Sequence, residues 1–340
     1  MANIELIKKL SKAFGVSSFE NEVIDILREE LKGYVDSIEV DEMQNLIALK
    51  NFDSPKSKVM LNAHMDEVGL FVKNVTPSGF IKFVKVGGID DRVLLGKRVI
   101  IGEKKVRGVI ATKPIHLQKE SEKDLVDKSW DMVIDIGAKT KEEALKLVQV
   151  GEGIAFDTEF EEIGDGFFVG KAFDDRLGCA IIAEVLKEEF DFPLIALFSS
   201  QEETGLRGVT TGAFKYTADI SITIEGTVSS DFPDVSDFNK VSVIGDGPVI
   251  TVKDASVITD HDLRKRLIET AEKFHIPYQY KRVAVGGTDS SKIQVTKEGV
   301  KVLVMAVPVR YIRSPVSLFY LDDYENTKRL LVEFLHSLEG

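Results

Sequence analysis

Cysteine is nearly absent from this sequence of 340 residues: Cys179 stands alone. That excludes an internal disulfide framework and fits a reducing compartment. Tryptophan is equally scarce, with one residue, which speaks against a sugar-stacking cleft. No stretch approaches the ~18 consecutive apolar residues of a membrane-spanning helix. The opening MANIELIKKLSKAF lacks the apolar core and small-residue cleavage site of a signal peptide, and its alternating Leu, Ile and Lys predict an amphipathic helix. Cationic charge is in deficit, with 44 Lys and Arg against 56 Asp and Glu and a net charge of −12. A nucleic-acid binder usually presents a basic face, so that partner class is set aside. These absences predict a cytoplasmic protein with no membrane segment.

What is present is an α/β pattern interrupted once. Residues 1–67 read as its first part. Ser17-Ser18-Phe19-Glu20 has the spacing of a capping box, opening a helix with Val23, Ile24, Leu27 and Leu31 on one face. The strand Lys58–Ala63 then leads to His64. Residues 68–165 switch to short alternating runs punctuated by glycines such as Gly87-Gly88, predicting an inserted β-rich barrel or sandwich. One short helix, after the capping box Thr140-Lys-Glu-Glu143, interrupts it. Residues 166–340 return to alternating helices and strands, so the fold class is α/β with a small inserted domain.

Acidic groups recur where apolar strands end, the usual location of sites in α/β folds. His64-Met65-Asp66 places an imidazole and a carboxylate on one side of an extended chain, so that Asp66 can fix the ring tautomer. Asp174-Asp175-Arg176 begins a helix, where adjacent carboxylates also suit the helix dipole. Asp90-Asp91-Arg92 repeats that triplet in the insert, and no chemistry is assigned to it. Gln201-Glu202-Glu203 follows the core strand LIALFSS, and packing gives no reason for the paired glutamates. One can bind a cation while its neighbour acts as general base on a water. Glu225 closes the apolar run ISITIE. Cys179 has no base beside it and is read as core.

Together these stretches resemble the cocatalytic metalloaminopeptidases of the tetrahedral (TET) and glutamyl-aminopeptidase type, whose relatives are often labelled endoglucanase or cellulase M. The matching segments are LNAHMDEVG (61–69), GKAFDDRLG (170–178), QEETGLRG (201–208), IEGT (224–227), GGTDS (286–290) and VRYIRSP (309–315). The resemblance implies a three-layer α/β/α metallopeptidase domain with a mixed sheet and a barrel-like insert used for dimerisation. It implies His64, Asp174, Glu203 and Glu225 as ligands of divalent zinc or cobalt, one or two per subunit. Asp174 would bridge the metals through a cis bond to Asp175, Glu202 would be the general base, and Asp66 would orient His64. Gly287, Thr288 and Asp289 fall in the family's loop near the substrate. Short peptides would be the substrates, and dimers would assemble into a hollow dodecamer.

One position departs from the pattern. Where the family carries a histidine ligand to the second metal, this chain has Arg313. A guanidinium stays charged and offers no lone pair, so it cannot ligate. It is expected to pair with Glu203 instead, leaving a single metal on His64, Asp174 and Glu225 and a weakened aminopeptidase. The alternative is a catalytically impaired subunit with a scaffold role. A glycoside hydrolase, using two carboxylates roughly 5–10 Å apart, ranks below both.

Overall fold

The computed structural model describes residues 2–122 and 125–339. A large mixed sheet forms the spine. Its four central strands, Leu194–Ser199, Val59–His64, Ile220–Val228 and Lys301–Arg310, lie side by side in that order and parallel. Antiparallel strands extend both flanks: Ser37–Val40 and Leu46–Lys50 on one side, Ser317–Tyr320, Phe167–Gly170 and Glu161–Glu162 on the other. The parallel strands are apolar on both faces because helices cover both. Along Leu194–Ser199, Leu194, Ala196 and Phe198 face one core while Ile195 and Leu197 face the other. The first core is roofed by the helices Ile4–Lys12, Asn21–Leu31, Phe173–Val185, His261–Lys273 and Leu321–Leu338. The second lies under Arg207–Lys215 and Ser290–Gln294. This is the expected three-layer arrangement.

The glycine-punctuated stretch closes into a barrel of six strands running from Gly69–Val75 to Gly153–Phe156. Its interior holds Leu70, Val72, Ile81, Phe83, Val99 and Ile134. Glu161–Glu162, which the sequence reading grouped with the insert, pairs instead with Phe167–Gly170 in the large sheet. Thr140 caps the helix Lys141–Leu145 by accepting from the Glu143 N–H, as its spacing predicts. Barrel and sheet meet at a small apolar seam of Phe14, Val16, Val86 and Ala155, with Phe19 and Phe71 packed edge to face at 5.7 Å. Among the described residues no helix is long and apolar enough to cross a membrane.

The Ser17–Glu20 capping box does not form. Ser17 Oγ donates to the Asp66 carboxylate at 2.5 Å, and Glu20 accepts from the Ser18 N–H at 3.0 Å and the Gln201 N–H at 3.1 Å. The helix Asn21–Leu31 begins without a side-chain cap, although its buried face is Val23, Ile24, Leu27 and Leu31 as read from the sequence. Tertiary partners have taken both capping groups.

Candidate metal centre

Four tips of chain converge at the C-terminal end of the parallel strands. His64 ends its strand and is fully buried. Asp174 lies just inside the helix Phe173–Val185, at a kink where the Asp174–Asp175 peptide is cis. Glu202 and Glu203 follow the strand Leu194–Ser199 through a turn in which Gln201 has a positive φ of 55°. Glu225 does not close its strand, as the sequence suggested. The strand runs on to Val228, and Glu225 becomes available because its neighbour Val59–His64 pairs with it only as far as Thr223.

The side chains approach closely. His64 Nε2 lies 3.4 Å from Asp174 Oδ1 and 3.9 Å from both Glu202 Oε2 and Glu225 Oε2. One donor atom from each of His64, Asp174 and Glu225 falls within 4.8 Å of the others, and the same holds for His64, Glu202 and Glu203. The side chains are almost wholly shielded from solvent, with Asp174 at 9% exposure and Glu203 at 2%. Burial, reinforced by the neighbouring acids, pushes the pKa of Glu202 and of Glu225 well above the carboxylate range. Glu203 rises to about 7 through burial, with Arg313 pulling the other way. Burial disfavours charge on His64, but Glu202, Asp174 and Asp66 outweigh it and raise the ring well above its ordinary value. The acids are crowded in a dry setting, and His64 and Arg313 oppose the rise only in part.

The hydrogen bonding points to what is needed. Asp174 Oδ1, Glu202 Oε2, Glu203 Oε1 and Glu225 Oε1 are buried and have no hydrogen-bond partner among the described residues. Buried oxygens left unpaired are costly unless a cation or a water completes them. A nitrogen and several carboxylate oxygens form the donor set that zinc and similar divalent ions take. The residues therefore fit a divalent cation.

The predicted neighbours divide by role. Asp66 was expected to bind the His64 ring through its carboxylate. Its backbone oxygen is nearer Nδ1, at 3.0 Å, and Oδ1 is at 3.4 Å. The Asp66 carboxylate chiefly receives the N–H groups of Glu202 at 2.9 Å and Glu203 at 3.2 Å. Asp175 accepts from the N–H of His64 at 3.2 Å and of Gly178 at 3.1 Å, tying strand to helix. Gly178 is required there, since a Cβ would lie 2.5 Å from that carboxylate. Asp289 is buried behind the site, accepting from Asn62 at 3.2 Å and from Ser199. Gly287 and Thr288 line a cleft of about 220 Å³ beside Glu202 and Glu225. Arg313 reaches back over the acids, NH2 3.3 Å from Glu203 Oε2 and Nε 3.9 Å from Asp174 Oδ2.

Sequence reasoning passed over two participants. Gly87, read only as a turn, takes a φ of +77° and leaves room for Glu203, whose Oε2 would lie 3.1 Å from any Cβ there. Lys281 gave no signal at all, yet it projects into the cleft wall with Val228, Val285, Val304 and Ile312.

The sequence and the fold are similar to those of known proteins. The M42 glutamyl aminopeptidase family model matches residues 44–330. The lysyl aminopeptidase of Pyrococcus furiosus is 30% identical over 347 residues, covering 100% of this chain and 98% of its own. A TET aminopeptidase structure from the marine sediment archaeon Thaumarchaeota archaeon SCGC AB-539-E09 superposes with a TM-score of 0.95 at 34% identity, covering 99% and 96% of the two chains. The TET1 peptidase of Pyrococcus horikoshii, which can assemble into a tetrahedron or a large octahedral shell, matches with a TM-score of 0.87 at 34% identity, covering 98% of each chain. By match to the family model and by likeness along its whole length, the chain belongs to the M42 glutamyl aminopeptidase family.

Proposed function

We propose that this protein removes N-terminal residues from short peptides as a metal-dependent aminopeptidase holding a single divalent cation, zinc or cobalt, per subunit. The observation that carries the reading is the convergence of His64, Asp174 and Glu225 with carboxylate oxygens left buried and unpartnered. The family is metal-dependent in general. A cation held by these residues would supply Lewis acidity toward a peptide carbonyl and toward water. Glu202 is the general base: its Oε2 is free, and the Asp66 carboxylate fixes its backbone. It takes a proton from the attacking water and returns it to the leaving amine. His64, its Nδ1 against the Asp66 carbonyl, presents Nε2 to the cluster.

Glu203 would face a second cation, but Arg313 already supplies positive charge there. Burial would lower the guanidinium, yet Glu203 and Asp174 hold its pKa above the ordinary value, so it stays charged. The same contact favours a second reading, a weakened family member acting as an assembly subunit. Elemental analysis together with turnover of aminoacyl-anilides separates the two. One bound ion with turnover that Glu202→Gln lowers about 10²–10⁴-fold supports the enzyme. No turnover with added Co²⁺ or Zn²⁺, together with co-purification of a similar chain, supports the subunit.

The cleft beside the cluster suggests the substrate side chain. Away from the acids and Arg313 its wall combines Val228, Val285, Val304 and Ile312 with Thr227, Thr251 and Thr288, and among them stands Lys281, which has no ion-pair partner among the described residues. Burial lowers the ammonium while Asp254, Glu225 and Asp174 oppose that shift. An acidic N-terminal residue would supply the missing partner. Glutamyl-anilide should outcompete leucyl-anilide, and Lys281→Met should erase a preference of about tenfold or more. We further place the protein in the cytoplasm as a homo-oligomer built through its barrel, whose exposed Ile115, Leu117 and Trp130 suit a subunit contact.

A further inference from the structure

The turn Ser17–Glu20 has the spelling of a helix cap and serves another element. Gln201, Glu202 and Glu203 present three successive backbone N–H groups, and each is received by a carboxylate from elsewhere in the chain. Glu20 Oε1 takes Gln201 at 3.1 Å. Asp66 takes Glu202 at 2.9 Å and Glu203 at 3.2 Å. Asp66 is steadied in turn by Ser17 Oγ at 2.5 Å, so both ends of the Ser17–Glu20 turn bear on one three-residue loop.

The turn itself is anchored away from that loop. Phe19 N–H donates to the Val16 carbonyl at 2.8 Å, and Val16 bridges Glu67 beside the His64–Asp66 segment. The Phe19 ring packs on Phe71 of the barrel and covers Gly153, where a Cβ would come within 2.9 Å of it. Glu20 is 1% exposed, too enclosed to meet a substrate or solvent. Gln201 holds a left-handed backbone, φ 55°, that an isolated glutamine seldom adopts. A fixed acceptor at its N–H opposes relaxation of the loop that aims Glu202.

We propose that Glu20 is a positioning residue for Glu202, using its carboxylate as a fixed acceptor for the Gln201 N–H so that the Ser17–Glu20 turn braces the base-bearing loop against the barrel seam. The inference rests on Glu202 being the base.

The experiment compares Glu20→Ala with Glu20→Gln. The amide keeps one acceptor oxygen for the Gln201 N–H while it loses the charge and puts an NH2 in place of Oε2, which has no hydrogen-bond partner among the described residues. With an aminoacyl-anilide, Glu20→Ala should lower kcat about tenfold or more, the scale of a small misplacement. KM and bound metal should stay near parent values. Glu20→Gln should restore most of kcat. In hydrogen exchange, the peptide spanning 200–206 should exchange faster in Glu20→Ala, without a matching rise in the sheet. Glu20→Asp serves the same comparison if Glu20→Ala does not fold, because the shorter side chain withdraws the acceptor. Unchanged exchange at 200–206, or Glu20→Gln failing as badly as Glu20→Ala, would overturn the proposal. A parent protein without turnover removes the aminopeptidase reading, while the exchange data still decide whether Glu20 holds the loop.

Discussion

Asp-Asp-Arg occurs twice in this chain, at 90–92 in the barrel and at 174–176 in the candidate metal centre, and the two copies behave as different chemistry. In the barrel, Arg92 folds back on Asp90 at the surface, and the pair satisfies itself. In the centre, the three side chains make no hydrogen bond to one another. Arg176, wholly buried, donates to the carbonyls of Met65 at 2.7 Å, Leu10 at 2.6 Å and Gly15 at 3.2 Å. Asp175 is spent on backbone N–H groups, and Asp174 keeps Oδ1 unpartnered. The difference is access to water. An exposed carboxylate is served by any neighbour or by solvent, whereas a buried one needs a fixed partner. Asp174 Oδ1, near His64 but with no hydrogen-bond partner among the described residues, is left open to a cation.

The most severe way to break this comparison is Asp174→Asn. It removes a charge from the proposed ligand set while keeping the shape. We expect bound metal to be lost and kcat to fall about 10³-fold or more, the scale of losing Lewis-acid assistance. With both proteins metal-free, the melting temperature of the variant should equal or exceed that of the parent, because mutual repulsion among the buried acids is relieved. Retention of a full metal complement would show that Asp174 is only another buried acid.

Arg176→Met tests the buried cation of the triplet. Its loss takes the guanidinium from the Met65 and Leu10 carbonyls, while the Gly15 carbonyl keeps the Glu67 N–H at 2.9 Å. It leaves the Glu67 carboxylate to Lys171 Nζ at 2.6 Å and the Gly15 N–H at 3.2 Å. Removing one side of such a buried network costs roughly 3–5 kcal/mol, readable by urea unfolding. The prediction is a loss of stability, with site chemistry affected only through the fold.

The sequence distinguished these triplets only in part. Apolar runs stopping at His64 and Ser199 indicated an α/β fold with acids near its strand ends, since period and burial are local properties. The barrel was legible from alternating runs and glycines for the same reason. Partner choice was not. Ser17 and Glu20 have ideal capping spacing, yet Asp66 and Gln201, distant in sequence, claim them. Glu225 looked like a strand end because its apolar run ends there, while strand length was set by pairing with Lys301–Arg310. Lys281 enters the cleft because Gln279–Tyr280 pairs with Val249–Ile250, a register that no local pattern announces.

A third arginine sharpens the contrast. Arg313 is neither self-paired on the surface nor locked inside: its side chain is 39% exposed and leans on Glu203. Arg313→His would exchange a permanent charge for a lone pair. We expect bound metal to rise from about one to two per chain by elemental analysis, with kcat up about tenfold, within the range set by added metal assistance. Two firmly held ions in the unmodified protein would show that the guanidinium does not occupy a metal's place.

Asp90→Asn should do least of all. Arg92 beside Asp90 holds that carboxyl below its usual range, so it is charged throughout neutral pH. A depressed folded pKa adds stability above the unfolded value of about 3.9 and loses it as pH falls below that. Here both groups stand in solvent, the contribution is screened, and exposed pairs are worth little. The melting temperatures of parent and Asp90→Asn should agree within about 1 °C from pH 5 to 9, with equal kcat. A shift of several degrees would mean that the Asp90–Arg92 loop is buried in the working assembly, and the surface copy of the triplet would then answer to the same constraint as the buried one.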